Sequence, residues 1–384
     1  MFDLIIIGAG LVGASLAMAL RNSGLKLALV ENQAPAKAQQ NGWDNRVYAI
    51  SPGAAAFLQD CGAWPQLDAA RITPITEMQI YGDDGVSHLG FSAYDCGLSE
   101  LALIVENRML QQALWQQLNA QENLQLYCPA QCAAVEWTAQ QVELRLKDGT
   151  TLRGRLMVGA DGGDSWVRGQ AGIAVKRHPY RQFAVVANFA TTEPHRGRAF
   201  QWFGATDVLA YLPLPEKRIS IVWSAPEDFA KNLLALTPEK FCAEVEKTGQ
   251  HALGALRLIT QPAAFALKLL RVERMAAARL ALIGDAAHVV HPLAGQGVNL
   301  GFQDARVLAE TLLKRGVQND CGDERLLRRY ERARQEDTLA MQFATHGLQQ
   351  LFTPPWFSGL RNFGLRLTNR LPPIKNLLVQ RALH

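Results

Sequence analysis

At 384 residues the chain is too long for one compact hydrophobic core and suits two domains. Hydrophobic residues at 48% and charged residues at 19% exclude a disordered polymer, and a net charge of only +4 gives no footprint for nucleic acid. The six cysteines (Cys61, Cys96, Cys128, Cys132, Cys242 and Cys321) form no C-x-x-C pair, which fits reduced thiols in a cytoplasmic protein.

Leu4-Ile5-Ile6-Ile7 is an apolar run suited to a strand buried on both faces of a parallel sheet. Gly8-Ala9-Gly10-Leu11-Val12-Gly13 follows it as G-x-G-x-x-G. In this pattern Gly8 permits a tight turn, Gly10 lets backbone approach a pyrophosphate, and Gly13 lets a helix over about Leu11 to Asn22 pack on the strand. Such a helix aims its first N–H groups and its positive end at the phosphates. Gly24 closes it, and Leu27-Ala28-Leu29-Val30 predicts a second strand ending on Glu31. A carboxylate there can accept hydrogen bonds from both hydroxyls of an adenosine ribose. Residues 4–20 also imitate the apolar core of a signal peptide, but Asp3 precedes them, no Lys or Arg does, and three glycines interrupt the run. No later apolar run reaches about 18 residues, so no membrane-spanning helix is expected.

Residues 108–118 have the spacing of an amphipathic helix. Leu156-Met157-Val158 is another buried-strand run and delivers Gly159-Ala160-Asp161-Gly162, a turn that alone is ordinary. Beyond about residue 179 the pattern has period two. Phe183–Ala187, Ala199–Phe203, Val208–Leu212 and Ile219–Trp223 predict an antiparallel sheet, a platform for a substrate.

Arg279-Leu280-Ala281-Leu282-Ile283 predicts a strand that carries Gly284-Asp285 to its C-terminal edge, where ligands sit in open α/β sheets. Pro292-Leu293-Ala294-Gly295-Gln296-Gly297-Val298-Asn299 then opens a helix reaching about Arg315. His288 and His291 lie in this loop without a nearby thiolate or glutamate, so no metal site is expected. From Thr338 to His384 there is no Asp or Glu, while Arg361, Arg366, Arg370, Lys375 and Arg381 alternate with apolar residues. That composition suits a helical cap on the rest of the molecule, an anionic lipid surface, or both.

The first glycine-bearing segment alone would serve NAD as well as FAD; the other two, in this order, supply what FAD needs beyond its ADP half. Asp285 can hold the ribityl chain, and the helix opening at Gly297 sets a positive field at the pyrimidine edge, where reduced flavin is negative. The motifs resemble those of the class A flavoprotein monooxygenases. The string from Gly284 to Gly301 looks like the ubiquinone-biosynthesis hydroxylase branch, as do Asp44–Ser51, Val105–Arg108 and Leu209–Leu214. The likeness runs from residue 2 to about residue 376.

That resemblance implies FAD as cofactor, molecular oxygen as co-substrate, and NAD(P)H or another electron donor. It implies hydroxylation of a polyprenylated phenol through a C4a-hydroperoxyflavin, with C5 of a 2-polyprenylphenol favoured over C6 or C1. It places Arg46 and Arg108 along the FAD phosphates and ribose, and Asp161 and Gly162 near the pyrophosphate. Phe203, Tyr211, Pro213 and His291 are its substrate-pocket candidates. No catalytic base stands out. Other ubiquinone-biosynthesis proteins and the membrane face are the implied partners. A flavin-dependent prenyl reductase and a non-catalytic flavin-binding scaffold are the rival readings; the Trp-x-Trp-x-x-Ile-Pro string of flavin halogenases is absent.

The fold expected is α/β. It consists of a discontinuous Rossmann-like FAD-binding domain (1–74, 99–178 and 269–336), an inserted antiparallel substrate domain (75–98 and 179–268) and a helical C-terminal region (337–384).

Overall fold

The computed structural model describes residues 1–36, 42–84, 86–290, 297–316 and 320–335. Among these, the apolar run at the N-terminus forms the strand Phe2–Ile7 at the centre of an eight-stranded sheet. It pairs in parallel with Leu27–Val30 on one side and Thr151–Gly159 on the other. Leu124–Tyr127 and Leu280–Leu282 extend the parallel array outward on those two sides. Helices cover the sheet, so Leu4, Ile5 and Ile6 are wholly buried, and so is every residue of Leu27–Val30. This explains why these strands read as unbroken apolar runs: neither face meets water. The helix Leu11–Ala19 packs against both Asn107–Leu118 and Gly297–Leu313.

The period-two segments build a nine-stranded sheet, antiparallel except where Arg198–Phe203 meets Glu77–Tyr81. Two short helices, Glu227–Leu234 and Pro238–Thr248, cover one face. Val185, Phe189, Tyr211, Trp223, Phe241 and Val245 form a separate core beneath them. The opposite face meets the glycine-turn side of the molecule: Ala199 and Leu214 pack with Ile75 and Ile104 of a three-stranded sheet, and Asn188 donates from Nδ2 to the Asp44 carbonyl at 2.9 Å.

One strand joins the two regions. Val175–Thr191 is 17 residues long, starts beside the flavin core at Val175 and ends in the second core at Phe189. Its pairing with Ala263–Val272 slips between Pro179 and Phe183, where Arg181 adopts φ 54°. A bulge of this kind bends a strand and increases its twist, which re-aims the sheet over the glycine loops. The α/β class with an antiparallel platform is therefore as expected. A last helix spans 324–335. The acid-free stretch from Thr338 lies outside the described residues.

Candidate functional site

The three glycine-bearing turns interlock at the C-terminal ends of the parallel strands. Gly8 has φ +99°, and a Cβ there would lie 2.5 Å from the Ala160 carbonyl oxygen, so the first turn rests directly on the second. A Cβ on Gly13 would lie 2.0 Å from the Gly8 carbonyl oxygen. Gly10 is different. It sits at the N-cap of Leu11–Ala19 with nothing within 4 Å of where its Cβ would be. Gly8 and Gly13 are thus needed by the fold, while Gly10 borders open space at a helix N-terminus, the place and field that suit a pyrophosphate.

Glu31 reaches this loop from the end of the second strand. Its Oε2 accepts from Ala9 N–H at 2.6 Å and its Oε1 from Gln33 N–H at 3.2 Å. A carboxylate has about four acceptor positions. Clamping the loop therefore leaves capacity for ribose hydroxyls.

In the second turn, Asp161 Oδ2 accepts from Val167 N–H at 3.1 Å, at the start of a short helix capped by Ser165. Its Oδ1 is buried and has no partner among the described residues. An unpaired buried carboxylate oxygen is costly, and a hydroxyl donor of a bound cofactor would satisfy it. The residues present therefore fit a flavin dinucleotide. Gly162, at φ +84°, also faces open space. The buried guanidinium of Arg168 ties this turn to the third, donating to Gly163 O and Ala286 O, both at 2.8 Å.

The third turn begins at Gly284, φ +59°, packed on Val12 of the first. Val12 also fills the space a Cβ on Gly301 would need, so the turn meets the helix Gly297–Leu313 here. Asp285 presents exposed surface, but inside a recess crowded by protein. Those surroundings raise its pKa above the ordinary carboxylate value, against the pull of His288, Arg46 and Lys268. Arg46 also lies 5.5 Å over the Tyr48 ring, whose hydroxyl burial pushes up to about 12. Arg46, Tyr48 and Asp285 thus share one side of the recess.

The remaining sequence-derived residues have mixed placements. Asn299, in the first turn of its helix, receives Ser51 N–H at 3.1 Å and donates to Ala49 O at 2.9 Å. It fastens the strand Val47–Ile50, which follows Arg46, to that helix, and Gly297 and Val298 precede it at the helix start. Arg108 is occupied by Gly42 O at 3.3 Å and the Asp44 carboxylate at 3.6 Å. His291, Pro292 and Gly295 lie outside the described residues.

Tyr211 does not stand over the glycine turns. It is in the core between sheet and helices, and its hydroxyl donates to Val245 O at 2.7 Å. Pro213, two residues on, shares that outward face. Phe203 is buried on the inward face, in cross-strand register with Val208. Three rows cross this face: Ala184, Ser224, Val208 and Phe203; Val186, Val222, Ala210 and Gln201; Asn188, Ser220 and Leu212. The platform is small and apolar with isolated polar groups, and buried Asn188 Oδ1 and Ser220 Oγ have no partner among the described residues.

Sequence reasoning missed Gln201, Ser220 and Ser224, and also Arg168, Asp304 and Arg334. For Asp304 a signal existed. It shares a helical face with Gly301, Ala305, Leu308 and Leu312, where a carboxylate is out of place unless partnered.

Three glycine turns meeting at the sheet's C-terminal edge beside an antiparallel platform are the arrangement of a flavin-dependent monooxygenase that holds FAD, and the family match shows that class. The chain belongs to the family described as FAD binding domain, which matches residues 1–343. It is similar to the ubiquinone hydroxylase UbiL of Rhodospirillum rubrum, 35% identical over 384 residues, covering 99% of this chain and 89% of that protein. It is also similar to the 3-demethoxyubiquinol 3-hydroxylase of Escherichia coli, 32% identical over 377 residues, covering 97% and 92%. Among solved structures, Pseudomonas aeruginosa PqsL in complex with 2-aminobenzoylacetate superposes with a TM-score of 0.80 at 25% identity, covering 94% of this chain and 99% of that one.

Proposed function

We propose that this enzyme hydroxylates the aromatic ring of a polyprenylated phenol in ubiquinone biosynthesis, using molecular oxygen and electrons from NAD(P)H or another donor. The observation that carries the reading is near-full-length similarity to relatives named as ubiquinone-pathway hydroxylases. C5 of a 2-polyprenylphenol is the ring position adopted, with C6 and C1 the other outcomes.

FAD, when bound, supplies the redox and oxygen chemistry. The chain binds, orients and excludes water. Gly10 and the first turn of Leu11–Ala19 present backbone to the pyrophosphate, Gly8 and Gly13 hold that turn against its neighbours, Glu31 accepts from the adenosine ribose, and Asp285 accepts from the ribityl chain. Asp161 and Gly162 border the pyrophosphate, Arg46 and Arg108 lie along the phosphates and ribose, and Gly297, Val298 and Asn299 open a helix toward the flavin ring. Phe203 and the inward rows of the platform orient the phenol. Pro292, Gly295 and His291 complete the third motif. The polyprenyl tail makes contact with a membrane or with partner proteins a requirement, because each CH₂ favours an apolar phase by about 0.8 kcal/mol. Arg361, Arg366 and Arg370 belong to the stretch proposed for that contact.

The test is removal of the gene, mass analysis of the accumulated intermediate, and turnover of that compound by purified protein under oxygen-18. One labelled oxygen on the ring supports the reading, and the product's structure assigns the carbon. A gain of two hydrogens without oxygen would make the protein a prenyl reductase. No oxygen-dependent turnover with FAD bound would make it a scaffold.

A further inference from the structure

A carboxylate that is fully buried must be matched, because stripping an ion of water costs several kcal/mol. Asp304 is such a group, completely enclosed on the inner face of Gly297–Leu313. Its donors come from two other places in the chain. Oδ2 accepts from Gly284 N–H at 2.8 Å and from His288 Nε2 at 2.7 Å, and Oδ1 accepts from Arg334 Nε at 2.7 Å. Gly284 and His288 bracket the short turn that carries Asp285. Arg334 comes from the helix 324–335, is itself buried, and also donates to Gln303 Oε1 and Leu300 O.

A single carboxylate thus holds both ends of the Asp285 turn against one helix. The same helix holds the strand Val47–Ile50 through Asn299 and abuts the first glycine turn at Val12. Packing alone does not require a charge here, since buried ion pairs are often replaceable by apolar groups of similar volume at little cost. What an apolar pair could not supply is a fixed acceptor for Gly284 N–H and the His288 ring.

We infer that Asp304 is a positioning residue for the FAD site, fixing Gly284 and His288 and thereby the direction of Asp285, with Arg334 as its counter-ion. It acts through the turn and does not itself touch the flavin. The inference rests on FAD binding and is independent of which phenol is hydroxylated.

The test titrates full-length protein with FAD, reading flavin fluorescence and the visible circular dichroism of the bound cofactor. Asp304→Asn keeps the shape but turns an NH₂ toward donors, and should raise the FAD Kd at least about tenfold and weaken the visible bands. The double variant Asp304→Leu, Arg334→Met removes both charges at similar volume. It should leave a folded apoprotein, its melting temperature lowered only by the unpaired Gly284 and His288 donors, yet lose affinity and dichroism in the same way. A folded double variant with parental Kd and dichroism would overturn the inference and leave the pair as a core element only.

A gentler comparison keeps the core charge in place. His288→Gln retains a donor toward Asp304 and should stay within about threefold of the parent, whereas His288→Phe should lose about tenfold. Equal affinity in those two variants would also overturn it. Failure of the parent itself to bind FAD would instead reject the flavin site.

Discussion

Gly10 and Gly13 stand three residues apart and should answer to different assays. A side chain at Gly10 meets no protein atom, so Gly10→Val should leave the apoprotein's melting temperature nearly unchanged while abolishing FAD binding. Gly13→Ala forces a methyl into the Gly8 carbonyl and should lower both. Gly10→Val protein that retains stoichiometric FAD would reject the pyrophosphate role. Asp285 carries a second expectation. Its folded pKa is raised, so once ionised it holds its charge in surroundings that disfavour it. Asp285→Ala should therefore stabilise the apoprotein above the folded pKa, with no gain in acid, while costing about 1–3 kcal/mol in FAD affinity. Thermal melts and FAD titrations of the same preparation decide it.

Asp304 has the opposite sign. Burial opposes its ionisation, but His288 and Arg334 together hold its pKa below the ordinary value. A depressed folded pKa gives stability that is present above the unfolded value, about 3.9, and is lost as pH falls through the lower folded value. Acid unfolding of the parent should then be delayed relative to Asp304→Asn, whose stability should lack this step below about pH 4.

Among the elements, the parallel strands were the most legible. Leu27–Val30 is where its four apolar residues put it, because burial on both faces leaves an unmistakable run. The same cause hid the direction of Val208–Leu214. Leu209 and Tyr211 face the helices while Ala210 and Leu212 face inward, and all are apolar, so period two could not say which set looks at the substrate. Only the register and the two covering helices decide it. Tyr211→Phe should accordingly cost about 1 kcal/mol of stability through the lost bond to Val245 O and leave turnover unchanged. Val222→Trp, on the inward middle row, should block substrate while FAD stays bound. A turnover loss in the first variant with none in the second would reverse the assignment of faces.

The molecule as a whole was legible at its motifs and opaque at the ties between them. Glycines announce turns because few other residues tolerate those angles. The ties from Arg168, Asn299 and Asp304 link residues 118, 250 and 16 to 30 positions apart, and local patterning carries no record of such distances. In the site proposed, FAD joins turns contributed by all three glycine segments, so its binding should behave as a cross-link. At a free concentration about 100 times Kd it should add about 2.7 kcal/mol to unfolding, and differential scanning calorimetry should show one transition moving upward.

The place of Phe2–Ile7 at the centre of its sheet also sets a timetable. Its neighbours are Leu27–Val30 and Thr151–Gly159, and the last residues of the latter, Met157 to Gly159, gain their outer neighbour only at Leu280–Leu282. At about 5–20 residues per second, a ribosome needs on the order of tens of seconds to travel from Ile7 to Leu282. Throughout that interval an apolar strand has been made whose sheet is unfinished, and the antiparallel platform is synthesised within the gap. The nascent chain is therefore most exposed to aggregation and to chaperones before the third glycine turn emerges, and FAD cannot rescue it earlier because its site does not yet exist.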